Sequence, residues 1–137
     1  MQRLIDWQSR LFKPIADHEQ VPFEYGRHDC AIWAGKIVQA ITGEDFYSSY
    51  VGKYKTLKGG FRHFKKSTNF PSHIHYILAN FDKVPVSMGR VGDLALIETP
   101  EGPAVAVMAG QFVIALNQYG LVRIDLDQAK AIFRVGV

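Results

Sequence analysis

The chain predicts an α+β fold, with N-terminal helices packed on one C-terminal antiparallel sheet. Two observations carry this. Apolar residues recur at three- and four-residue steps in the first third, and short alternating or continuous apolar runs separated by turn residues fill the last third. A third concerns size: 137 residues make one ordinary domain, read as 1–137, long enough to bury a core and too short for two.

Residues 2 to 18 carry Leu4, Trp7, Leu11, Phe12 and Ile15 at helical spacing, and Pro14 predicts that this helix ends near Lys13 or kinks there. From Asp29, a good N-cap, Ile32, Trp33, Ile37, Val38 and Ile41 define a second helix, which Gly43 stops. Between 44 and 81, Gly52, Gly59 and Gly60 split an aromatic-rich stretch into short helical pieces, and "PSHIHYILANF" forms another. After "SMGRVGD" the pattern changes. "DLALIE", "PAVAVMA" and "QFVIALN" read as consecutive antiparallel strands and "LVRIDL" as a fourth. In the tail, "DQAKAIF" predicts a brief helix and "RVGV" an edge strand, giving a sheet of four to five strands.

Composition excludes several classes. With 47% hydrophobic against 21% charged residues the chain is neither disordered nor fibrous. The long uncharged stretch Gly102 to Leu121 is broken by Pro103, Gly110, Asn117 and Gly120, so no membrane span is expected. "MQRLIDWQSRLFKP" lacks the apolar core and cleavage site of a secretory signal, so synthesis in a cytoplasm is expected.

Charge is segregated. No acid occurs between Phe46 and Phe81, while Lys53, Lys55, Lys58, Arg62, Lys65 and Lys66 supply +6 of a chain whose net charge is +3. Such a segment suits either a solvated helix face or a docking face for an anionic partner, for which Lys53, Lys55, Lys58 and Arg62 are the candidate binding residues. Tyr50, Tyr54, Phe61 and Phe64 interleave with it, but no recognition helix or aromatic sheet motif accompanies them, and specific nucleic-acid binding is not expected.

The chain's one cysteine, Cys30, immediately follows the predicted N-cap. A helix start lowers a thiol pKa through its partial positive charge and free N–H groups, although Asp29 opposes this when ionised. The other reading is a small buried hydrophobe. A nucleophile needs a base. His28 lies two residues before the thiol on the entering loop, where a ring is expected to project away from it. His73 and His75 share one side of an extended segment but lie about 200° apart on a helix. His63 sits on the basic segment and His18 follows the first helix. Asn117 could orient a base, but stands beside Gln118-Tyr119-Gly120, where a turn role is expected. No Cys-x-x-Cys or His-Glu-x-x-His occurs, and His73 and His75 have no further ligands at usable spacing, so neither metal nor cofactor is expected. Ser nucleophile-elbow, phosphate-loop and dinucleotide fingerprints are absent.

"FEYGRHDCAIWAGKIV" resembles the Tyr-Gly-x-x-Asp-Cys entrance to the catalytic helix of NlpC-type papain-like cysteine peptidases, which hydrolyse peptide bonds in peptidoglycan. "VGDLALI" resembles the Gly-Asp-leading strand of the same family. With "VGKY", "YGLVRI" and the terminal "AIFRVGV", the pattern is closer still to small phage-encoded, tail-associated NlpC-like proteins. The resemblance implies a papain-like fold, Cys30 as nucleophile, Tyr25 as the hydroxyl that positions the thiol and stabilises an oxyanion, and Gly26 and Asp29 as shapers of the turn. It also exposes a departure. The strand that begins with the catalytic histidine in the peptidases is here "AVAVMAG", with Ala104 in the histidine slot, and the next strand offers only apolar side chains before Asn117. The substitute bases are His28 or the His73/His75 pair. Two functions follow from the resemblance. One is a phage tail-tip or tail-assembly component with an incomplete triad, resident in the virion tail and bound to other tail proteins, which the missing histidine favours. The other is an active peptidase acting on peptidoglycan peptides during phage entry.

Overall fold

A computed structural model describes residues 1–137. Four α-helices precede the main sheet: α1 (Trp7–His18), α2 (Cys30–Thr42), α3 (Leu57–Thr68) and α4 (His73–Asn80). Six strands follow, β1 (Lys83–Val84), β2 (Leu94–Thr99), β3 (Gly102–Met108), β4 (Phe112–Asn117), β5 (Gly120–Asp125) and β6 (Ala129–Phe133). All pairings are antiparallel, in the order β1-β6-β2-β3-β4-β5.

The helices form where their caps and periodicity place them. Asp29 caps α2 by accepting from the Ile32 N–H at 3.0 Å, and Gly43 ends it with φ +83°. Ile32, Trp33, Ile37 and Ile41 are fully buried, so α2 is the central helix of the fold. α1 lays Trp7, Leu11 and Ile15 against the same core. It runs through Pro14 to His18 rather than ending near Lys13. The interruption is tolerated because the carbonyl freed by the proline belongs to Arg10, an exposed residue whose backbone can be solvated. α3 is capped by Thr56 and closed by Asn69 at φ +67°, and anchors to the core through Phe64.

Period-two alternation divides the sheet's side chains between two faces. Leu94, Val105, Val107, Ile114, Ala131 and Phe133 face the helices. Ala95, Ile97, Ala106, Met108, Val113, Ala115 and Ile132 form a second core on the far side, closed by Val84, Val86, Ile124 and Leu126. Burial on both faces explains why these strands read as continuous apolar runs rather than strict alternation.

The tail corrects the sequence reading. Leu126–Gln128 is a single 3-10 turn, and Ala129–Phe133 is a strand, not a helix. β6 is also not an edge: it inserts between β1 and β2. Ala131, Ile132 and Phe133 are all buried, so the ladder on both sides and two apolar cores outweigh the helical preference of "QAKA". "RVGV" forms no strand. With β1 the sheet has six strands, against the four to five expected.

One seam matters for the site. β3 pairs with β2 along its whole length, but with β4 only at Val107↔Ile114 and Met108↔Val113. Beyond Val107 the two strands part. The backbone N–H and C=O of Val105, which point to the β4 side, are left without a strand partner.

Candidate functional site

The Tyr25–Cys30 turn is ordered around Asp29, which is buried. Its Oδ1 accepts from Ile32; its Oδ2 accepts from the Gly26 N–H at 2.9 Å and from the Tyr54 hydroxyl at 2.5 Å. Gly26 holds φ +79°, and a Cβ there would stand 1.9 Å from the Tyr54 carbonyl oxygen, so only glycine lets the two backbones approach this closely. Glu24 and His28 close the turn through reciprocal backbone bonds of 3.0 and 2.8 Å.

Cys30 opens α2 and points at β3. Its thiol donates to the Val105 carbonyl at 3.6 Å and accepts from the Val105 N–H at 3.3 Å. The sulfur therefore occupies the ladder position that β4 vacates, while the neighbouring Ala104 side chain packs on the far face of the sheet. Burial pushes the thiol up to about 11, against the lowering effect of the Val105 N–H, and Asp29 adds to the rise. A sulfur in this state is protonated at neutral pH.

The predicted partners lie elsewhere. Tyr25 packs edge-on against Phe23 at 4.8 Å, and its hydroxyl makes no bond to the thiol. His28 is buried with its ring stacked on His18 at 4.8 Å and edge-on to Trp33 at 6.0 Å, and both its nitrogens lack protein partners. Burial lowers it to about 4, aided by His18 and Lys36. His18 itself is held by the Pro14 carbonyl and by Lys36 Nζ, at 2.6 and 3.0 Å.

His73 and His75 fall on α4, where their rings diverge. His75 Nδ1 bonds Ser72 Oγ at 2.8 Å. His73 turns inward, its Nε2 is buried without a partner, and burial lowers it to about 4 against the raising pull of Asp29. It lines an apolar cavity of about 40 Å³ with Ala34, Phe46, Tyr50, Phe64 and Tyr76, room for a few waters and too little for a substrate. His63 bonds Ser67 at 3.3 Å. Asn117 Oδ1 accepts from Tyr119 and Gly120, closing the β4–β5 turn. No imidazole reaches the Cys30 sulfur, and nowhere do three metal-ligating side chains converge.

Lys53, Lys55, Lys58 and Arg62 are all exposed and take part in no ion pair. They lie on α3 and the loop before it, and that loop packs on the Tyr25–Cys30 turn through the Tyr54 hydroxyl on Asp29 and the Gly52 N–H on the Gly26 carbonyl. No helix is long and apolar enough to cross a membrane.

Two residues hold structural roles that the sequence reading did not assign to them. Tyr54 supplies the hydroxyl that donates to Asp29 in the turn; burial raises it strongly, and its bond to Asp29 adds to this. Asp93, of the Gly-Asp pair, is fully buried and bonds Arg3 Nη2, the Arg90 N–H and the Val135 N–H at 3.0, 2.8 and 3.0 Å. Arg134 Nε stands 3.3 Å away. The advance signal for Asp93 was the resemblance of "VGDLALI" to a Gly-Asp-leading strand, which gave its place but none of its partners.

Comparison with curated proteins gives no match. One family profile matches residues 2–135, nearly the whole chain, and the chain accordingly belongs to the family described as Domain of unknown function (DUF6950).

Proposed function

We propose that this protein is a phage tail-tip or tail-assembly component that keeps a papain-like, NlpC-type architecture without its hydrolytic chemistry. The observation that carries this is the state of Cys30: a protonated thiol bonded to the Val105 backbone, with no imidazole in reach. Nucleophilic catalysis needs a thiolate and a base aligned with it, and the motif position where the resemblance expects that base is Ala104, whose side chain packs on the sheet face away from the thiol. A fold outlives its chemistry when the surface keeps a use. Here the surface is the unpaired basic face, through which the module docks on an anionic partner.

The competing reading, a peptidase that cleaves peptidoglycan peptides during entry, draws on one feature, the placement of Cys30 at a helix start against β3. A pair of experiments separates them. Purified protein should leave peptidoglycan sacculi intact, and its native thiol should react with a disulfide reagent at least ~100-fold more slowly than the unfolded chain's at pH 8. In complementation of a phage lacking the gene, Cys30→Ala should support infectious particles and Lys53→Glu/Lys55→Glu/Lys58→Glu should not. Clearing of sacculi that Cys30→Ala abolishes would establish the peptidase instead.

A further inference from the structure

Around α3 the side chains sort by angle. At about 100° per residue, Phe64 points into the core, Leu57 and Phe61 lie one turn apart at its margin, and Lys65, Lys58, Arg62 and Lys66 follow in sequence around the outer side. Leu57 and Phe61 are 45% and 40% exposed. An exposed apolar strip therefore borders a cationic one, and Lys53 and Lys55 extend the charge along the preceding loop. None of the six cations has an acidic partner; Lys65 reaches only the Asn69 carbonyl, at 3.4 Å.

We propose that α3 and the loop before it bind peripherally to an anionic lipid surface, the cations meeting headgroups while Leu57 and Phe61 sit among the first acyl carbons. This rests on the reading of the segment as a docking face and adds the chemistry of what it meets; it does not depend on the state of Cys30. Three features select lipid. Five of the six cations are lysines, mobile point charges that suit a diffuse anionic layer, whereas geometric recognition of carboxylates or nucleic acid favours the arginine fork. A basic face beside exposed Leu and Phe is the pattern of interfacial helices. Finally, the rest of the chain carries a net −3, so an anionic plane attracts this face and repels the remainder, which fixes one orientation.

The test is co-sedimentation with vesicles at about 0.1 M salt. Binding to phosphatidylcholine vesicles containing about one-third phosphatidylserine should exceed binding to pure phosphatidylcholine by at least ~10-fold, and should fall by a similar factor at about 0.5 M salt. Lys53→Glu/Lys55→Glu, which lies outside every helix, should lose at least ~10-fold with an unchanged circular dichroism spectrum. In Phe61→Trp, emission should shift to the blue on anionic vesicles and be quenched by brominated lipid. Equal binding to neutral and anionic vesicles, or binding without that shift, overturns the proposal. So does tighter binding to a short DNA duplex at the same salt, which would mark a nucleic-acid face. If vesicles are not bound while the charge reversal still blocks particle assembly, the partner is a protein; the lipid proposal fails and the assembly function stands.

Discussion

His28 and His73 show what burial does to single side chains. Each holds a ring nitrogen out of water with no partner in the protein, and each is lowered from 6.5 to about 4. A folded-state pKa below the unfolded value means that the unfolded chain takes up the proton first as pH falls. The stability these residues contribute is therefore complete above about 6.5 and is lost as pH drops toward about 4. Urea unfolding at pH 7 and pH 4.5 should show the wild type losing stability over this interval. His28→Gln and His73→Gln should each reduce that loss, by on the order of 1–3 kcal/mol. An acid limb unchanged in both variants would place the titration elsewhere.

At the scale of elements, the parting of β3 from β4 gives Cys30 a structural task. A thiol is a weak donor and a weak acceptor, and here it serves both backbone groups of Val105. Cys30→Ala should leave them unsatisfied at a cost of about 1–3 kcal/mol, whereas Cys30→Ser should recover part of the loss, as read from denaturation midpoints. Alanine and serine of equal stability would mean that the thiol contributes packing alone. The same scale shows why legibility varied. α2 was readable because its cap, periodicity and stop lie within one short window. β6 was not, because "AKAIF" has strand character only between β1 and β2, and "DQAKAIF" alone reads as a helix.

At the scale of the molecule, Asp93 ties both ends of the chain to the start of the sheet. Arg3 reaches it from the N-terminal segment, Val135 and Arg134 from the C-terminal one, and Arg3 is also held by the Val135 carbonyl at 2.8 Å. The carboxylate has no access to water, so its loss leaves buried guanidinium charge uncompensated. Asp93→Asn should destabilise by about 3–5 kcal/mol in urea unfolding, and a change below about 1 kcal/mol would show that the termini hold without it.

The sequence by itself determined the order of helices before strands, the position of Cys30 at a helix start, the turn residues around it and the segregation of positive charge, because each is a local pattern within a few residues. Tertiary structure decided what the thiol faces: Val105 lies 75 residues away, and only the divergence of two strands leaves its backbone free to take a sulfur. It decided equally that His28 turns to His18 and Trp33 and that Asp29 holds Tyr54. Hydrogen-bond partners of buried polar groups are chosen by packing between distant segments, and no local window of sequence contains that information.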